Sequence, residues 1–431
     1  MYRRSMTIAA AALLIAAVSY AQTPPAAQDR AGAAGRGQAP PGASVVSPEV
    51  LPDGRVTFRL NAPGATAVTV SGDWPEGRNV AMAKDGNGIW SVTVGPLKPE
   101  LWMYSYTIDG ARAIDPRNVN IARDGANYLS TFFVNGPGAA PYQVSDIPHG
   151  TLHIDWYPSP SLKLTRRAYV YTPPGYGSGT GRYPVLYLLH GGGGDEEAWT
   201  SMGRTPQILD HLIAQGKTRP MIVVMTNGNA DQRAGQNLVP PAARGGGGMS
   251  ASPTAAAALA FPESLVADVV PFIDKTYRTL ADRQNRAIAG LSMGGMHAAT
   301  AALSHPETFA WVGCFSGAYP VWPGARKIVD MGTVAPTRSG PGRNERLNME
   351  AVDKLFPTVN GKSAAFRLFY VAAGLDDFVL ESGRDFLDWL KSRGIPYVNV
   401  ETPGYAHVWP FWRVALMDLA PRLFQPAAGQ R

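Results

Sequence analysis

The sequence predicts an α/β domain built on a doubly wound, mostly parallel sheet, with a small immunoglobulin-like β-sandwich in front of it. Three observations carry this. Residues 44–137 hold short alternating runs separated by turn signals. Residues 142–431 instead alternate continuous apolar runs with stretches of helical spacing. Within the second part, Arg286-Ala287-Ile288-Ala289 runs straight into Gly290-Leu291-Ser292-Met293-Gly294, a strand that ends on a serine and turns at once into a small-residue helix.

The composition is that of a globular protein of more than one domain. The 431 residues are 45% hydrophobic and 17% charged, and the 47 glycines and 37 prolines imply many loops. A net charge of +6, with no block of Lys and Arg, argues against a nucleic-acid groove. Arg3 and Arg4, the apolar core Ile8 to Val18 and the Ser19-Tyr20-Ala21 site read as a signal peptide over residues 1–21, cut after Ala21. That core is short for a membrane span, so no membrane association is expected after cleavage. Residues 22–43, rich in Ala, Gly, Pro and Gln, read as a flexible linker. An exported chain with one cysteine, Cys314, forms no internal disulfide, which points to a bacterial periplasmic or secreted protein. Cys314 lies in an apolar run and is expected to be a buried thiol.

In the sandwich, strands are expected at Arg55 to Leu60, Ala67 to Ser71, Ile89 to Val94 and Trp102 to Ile108, with turns at Pro52-Asp53-Gly54, Pro63-Gly64, Asp85 to Gly88 and Asp109-Gly110. Trp90, Tyr104 and Tyr106 are expected to fill its core, and Trp74, in a Gly/Pro loop, to be exposed. The runs Val56 to Pro63, Ser71-Gly72-Asp73-Trp74, Gly88-Ile89-Trp90, and Tyr104-Ser105-Tyr106 with Asp109-Gly110 and Asp115-Pro116 resemble the early-set modules of carbohydrate-binding module family 48. The resemblance implies aromatic rings able to stack on sugars.

After the Pro/Gly segment at 136–141, strands are expected at Ala168 to Thr172, Val185 to Leu189, Met221 to Met225, Arg286 to Ala289, Phe309 to Phe315, Phe366 to Ala373 and Tyr397 to Glu401. The unbroken apolar ones suit strands covered on both faces. Helices are expected over Leu265 to Tyr277, after Ser292, near Ser382 to Ser392 and near Pro410 to Phe424. Residues 232–260 show no periodicity and read as a lid or disordered insertion over the site. The size and the G-x-S-x-G turn suit an α/β-hydrolase.

A serine nucleophile needs a base, an acid and two oxyanion donors. Of seven histidines, only His407 follows the later strands, in a loop just before the last helix, where a general base belongs. Gly374-Leu375-Asp376-Asp377-Phe378 follows a strand and offers two carboxylates, and spacing alone leaves both open. The Met293 amide begins the elbow helix and is one candidate oxyanion donor. His190-Gly191-Gly192-Gly193-Gly194 supplies the other, with Gly192 the first choice and Gly191 the next. No Lys-Ser/Thr follows those glycines, so they are not a phosphate loop. His190 is expected to support its loop, and His297 to be packed. No metal or other cofactor is implied.

The set is similar to the esterase D-like α/β-hydrolases of carbohydrate esterase family 1, the feruloyl and acetyl xylan esterases. The carrying motifs are Val170 to Tyr176, Leu188 to Gly194, Tyr277-Arg278 with Ala281 to Gly295, and His407-Val408-Trp409 with Trp412-Arg413. The resemblance implies a Gly-x-x-Asp acid, which maps onto Gly374 and Asp377. It implies ester hydrolysis through an acyl-enzyme, with feruloylated or acetylated xylan as substrate. Trp199, Trp409 and Trp412 are expected to line an aromatic acyl pocket. Asp195 stands where relatives often carry an uncharged polar residue, and is a fourth candidate substrate contact. A siderophore esterase and a mycolyl-type acyltransferase are alternatives on the same fold, and a sugar-binding protein with an inactive hydrolase domain is one from another class.

Overall fold

The computed structural model describes residues 45–125, 127–231, 255–328 and 345–426. The expected signal peptide and linker, and residues 232–254 of the expected insertion, lie outside them. Residues 255–260 do not belong to a structureless insertion, because Ala255–Ser264 is helical and continues through Leu265–Val269 into Val270–Thr276.

The β-rich part is two packed antiparallel sheets. One orders Glu49–Val50, Val56–Asn61, Ile89–Val94 and Ala83–Lys84, and the other is centred on Glu100–Ile108 between Val68–Gly72 and Asn127–Val134. Their inner faces bury Val56, Phe58, Leu60, Val70, Tyr104, Tyr106 and Phe132. Trp90, Tyr104 and Tyr106 are core residues, as expected. Trp74 corrects its expectation, being only 5% exposed and stacked on Phe58. Gly72 and Gly77 are the reason. A Cβ on Gly72 would fall 1.8 Å from the indole, so the bare backbone lets the ring fold back into the core.

The large sheet has eight strands, numbered here in chain order: β1 Thr151–Ser159, β2 Leu164–Thr172, β3 Val185–Leu189, β4 Ile222–Thr226, β5 Arg286–Leu291, β6 Trp311–Phe315, β7 Leu368–Gly374 and β8 Val398–Thr402. Their spatial order is β1-β2-β4-β3-β5-β6-β7-β8, with the β1–β2 and β2–β4 pairings antiparallel and the others parallel, so β2 alone runs against the rest. Every residue of β3 to β6 is buried. Successive side chains enter opposite cores: Tyr187, Ile288 and Val371 on one face, Leu186, Ala289 and Tyr370 on the other. β1 has no counterpart among the expected strands.

The parallel register sets the site. Leu189 pairs with Gly290, Leu291 with Phe315, Phe315 with Ala372, and Gly374 with Thr402. The carboxyl ends of five strands therefore lie side by side, and the loops that leave them carry Gly191 to Gly194, Ser292, Ser316, Asp377 and His407. This end of the strands is where open α/β sheets place their sites.

Candidate active site

Ser292 leaves β5 with φ +52° and ψ −116°, a conformation that L-residues rarely adopt. Its amide donates to the Phe315 carbonyl (2.8 Å), and its carbonyl accepts from Met296 (3.1 Å) and Ala318 (3.0 Å). The flanking glycines let the turn close. A Cβ on Gly294 would lie 2.5 Å from the carbonyl oxygens of Leu189 and His190, and one on Gly290 would lie 2.5 Å from the Gly294 carbonyl. The helix Met293–Ser304 begins immediately after the serine.

Gly191 passes directly over the serine, since a Cβ on it would be 3.4 Å from Ser292 Cβ. Among the described residues, the amides of Gly192 and Met293 donate to no internal acceptor. The loop is held from behind. His190 Nε2 accepts the Gly228 amide (2.8 Å), so its Nδ1 carries the proton and donates to the Gly191 carbonyl (2.7 Å). Burial lowers the His190 pKa, keeping the ring in this neutral form. Asn229 Nδ2 donates to the Gly194 carbonyl (2.9 Å).

His407 Nδ1 lies 2.9 and 3.1 Å from the two Asp377 carboxylate oxygens. The Asp376 amide donates to the Tyr405 carbonyl (2.9 Å). Burial raises the Asp377 pKa, but the neighbouring His407, the Ser316 hydroxyl and the Val379 amide outweigh it and hold the carboxyl below its ordinary value. An ionised Asp377 keeps the proton on His407 Nδ1 and leaves Nε2 as the basic nitrogen. The imidazole is gripped between Phe378 (4.5 Å between centroids) and Trp412 (5.0 Å). Gly374 explains how the histidine loop comes so close, because a Cβ there would sit 2.1 Å from the Tyr405 carbonyl oxygen.

The four expected substrate contacts are corrected. Trp199, Trp409 and Trp412 are buried and pack edge to face, with Trp409 5.3 Å from Trp199 and 5.2 Å from Trp412. Two of the indole N–H groups are engaged internally: Trp199 donates to the Leu189 carbonyl (2.8 Å) and Trp412 to Ser316 Oγ (3.1 Å). Through these two bonds Trp199 steadies the end of β3, and Trp412 the serine that follows β6. Asp195 is buried too, and pairs with Arg123 of the sandwich (2.6 Å).

Ser316 is a site residue that the motif reading missed. It has φ +49°, caps β6, and offers its hydroxyl to Asp377. A serine directly after a buried strand, in Phe315-Ser316-Gly317, was the available signal. Cys314 is buried, as expected, and its thiol is pushed up to about 12 by burial. Among the described residues, no group of three or more His, Cys, Asp or Glu could hold a metal ion.

His297 is packed, as expected, on the elbow helix against Phe261 (5.1 Å between ring centroids). Its Nδ1 is buried without a partner, and burial, with His190 nearby, lowers its pKa from 6.5 to about 3. The unfolded chain therefore binds a proton below pH 6.5 that the folded chain refuses, so this group costs stability as pH falls from 6.5 towards 3. The loss should reach about 3 kcal/mol by about pH 4. His297→Leu should flatten urea-unfolding free energies over that range, and an unchanged slope would refute the assignment.

The strand order, the strained serine turn and the His–Asp pair are those of an α/β-hydrolase. Residues 159–423 match the family described as "Putative esterase", and residues 42–122 match carbohydrate-binding module 48, the isoamylase N-terminal domain. The chain belongs to that esterase family. Both parts of the resemblance read from the sequence are met. It is 31% identical over 384 residues to an endo-1,4-beta-xylanase/feruloyl esterase of Xylanibacter ruminicola, covering 88% of this chain and 46% of that protein. The chain spans less than two thirds of the length of the curated relatives heading its matches. Its fold is similar to the enterobactin esterase of Shigella flexneri (TM-score 0.59, 20% identity, 86% of this chain and 93% of that one). It is also similar to a CE1 ferulic acid esterase of Anaeromyces mucronatus (TM-score 0.50, 18% identity, 67% and 96%).

Proposed function

We propose that the chain is an exported bacterial serine esterase that cleaves feruloyl esters on plant cell-wall polysaccharide. The observation that supports the serine mechanism is the His407–Asp377 pair and the strained Ser292 turn at the same end of the parallel strands, with the Gly192 and Met293 amides donating to no internal acceptor among the described residues. His407 Nε2 takes the Ser292 Oγ proton as the oxygen attacks the ester carbonyl. The Gly192 and Met293 amides receive the oxyanion, and Ser316 steadies Asp377. The sugar hydroxyl leaves with the proton from His407. Water, deprotonated by the same nitrogen, then attacks the acyl-enzyme, releasing the acid and restoring the serine.

Similarity to a xylanase/feruloyl esterase over most of the chain supports the feruloyl reading over acetyl. Incubation with feruloylated arabinoxylan should release ferulate, and acetate release from acetylated xylan without ferulate release would overturn the preference. A fluorophosphonate should label Ser292. The enterobactin-esterase likeness extends over both domains, which keeps siderophore ester hydrolysis as the second reading. Hydrolysis of a cyclic catecholate ester, with feruloyl esters left intact, would favour it. Export predicts a mature N-terminus at Gln22, readable by mass spectrometry.

A further inference from the structure

The loop after β3 contains four consecutive glycines, Gly191 to Gly194, and no side chain of its own to fix it. His190, Asn229 and the Gly194–Gly191 turn (3.2 Å) hold it from within the esterase domain. A further hold comes from the other domain. The sandwich strand Ile121–Asp124 runs up to the short helix Ala198–Ser201 that follows the glycines. There the Arg123 amide donates to Ser201 Oγ (2.9 Å), and its guanidinium reaches Asp195 Oδ2 (2.6 Å) and Glu197 Oε2 (2.7 and 3.1 Å).

We propose that Arg123 of the sandwich is a positioning residue for the esterase, holding the loop that presents the Gly192 amide to the substrate carbonyl. This rests on the serine-esterase reading above. Three acids follow the glycines in succession, Asp195, Glu196 and Glu197. Glu196 is neutralised within the domain by Arg167 (2.6 Å). Asp195 and Glu197 have Arg123 as their cation among the described residues, and Asp195 is buried. Without that guanidinium, the buried Asp195 carboxylate has no cation and lies beside Glu197, which has lost the same partner. The segment must then move towards water, carrying the glycines with it. Burial lowers the Arg123 pKa, but its two carboxylate partners overcome this and raise it, so the cation persists at any pH the enzyme meets. Oxyanion donors act only when aimed at the developing charge, and a displacement of about 1 Å costs roughly a hundredfold in rate. The carbohydrate-module-like domain is thereby a structural part of the oxyanion site, whatever it binds.

The test uses the full chain with methyl ferulate and 4-nitrophenyl acetate as probes. Arg123→Gln should lower kcat about 10- to 100-fold on both esters and leave KM within about threefold. Arg123→Lys, which keeps one cation but not the fork, should recover part of the loss. Asp195→Asn should lower kcat by a similar factor, and the Arg123→Gln/Asp195→Asn pair should lower it no further, as expected of residues acting through one contact. Thermal melting of each variant shows that folded protein is being assayed, and if Arg123→Gln does not fold, Arg123→Lys and Asp195→Asn decide. Folded variants with kcat within about twofold of the parent overturn the inference and leave the esterase reading intact. A parent chain that turns over neither ester, with Ser292 unlabelled, overturns both.

Discussion

Ser292→Ala is expected to lower kcat on methyl ferulate by about a million-fold without unfolding the protein. On the proposed mechanism the Ser292 hydroxyl forms the acyl bond, and alanine has no atom to make it. The turn exists to project that oxygen, and it is held by contacts that do not involve the hydroxyl. The Ser292 amide is fixed by Phe315 and its carbonyl by Met296 and Ala318. Alanine meets the same backbone geometry, so melting should be unchanged. Ser292→Gly tests the strain separately. At φ +52° a glycine carries no Cβ penalty, so this variant should lose activity to the same degree and gain about 1 kcal/mol of stability. Asp377→Asn should lower kcat about ten-thousand-fold, because an amide no longer enforces the proton on His407 Nδ1. Stopped-flow and steady-state rates with melting curves check all three. Substantial turnover by Ser292→Ala would remove the serine mechanism altogether.

Much of this site was legible in the sequence because its signals are local. A serine between glycines after an apolar strand, a glycine run after another, and a late loop histidine each announce themselves within a few residues. Chain order then assembles them. Asp376 and Asp377 could not be separated by spacing, since the choice depends on which side chain meets a histidine 30 residues on. β1 escaped because it breaks the usual code. Its alternation is inverted: Leu152, Ile154 and Trp156, the last 56% exposed, face solvent, while His153 and Asp155 between them are the more covered residues. Trp74 misled for the reverse reason. Gly72 and Gly77 look like loop residues, yet they make the space its ring fills. Arg123 and Ser316 act across 74 and 61 positions of chain respectively, through contacts that no periodicity encodes.

The same domain boundary yields the largest expected loss of stability. Arg413→Met is expected to destabilise the protein by about 3–5 kcal/mol in urea unfolding followed by tryptophan fluorescence. Arg413 is fully buried on the last helix, Trp409–Leu419, which follows His407. It donates to the Met202 carbonyl (2.8 Å), the Leu101 carbonyl (2.6 Å) and Glu100 Oε1 (3.1 Å), and lies over the Tyr142 ring (5.1 Å). One guanidinium thus joins the sandwich strand, the connecting segment, the oxyanion-side helix and the histidine-side helix. Methionine keeps much of the volume but strands Glu100 and two carbonyls in the interior. Burial already pushes the Glu100 carboxyl up, and Arg413 draws it only part of the way back. Asp73, raised by burial to about 7 against the pull of Arg413, loses that pull as well. Adding Glu100→Gln to Arg413→Met should recover the part of the loss that comes from the stranded charge and leave the part from the unpaired carbonyls. A double variant no more stable than the single one would show that hydrogen bonding and packing, not charge, hold the two domains together.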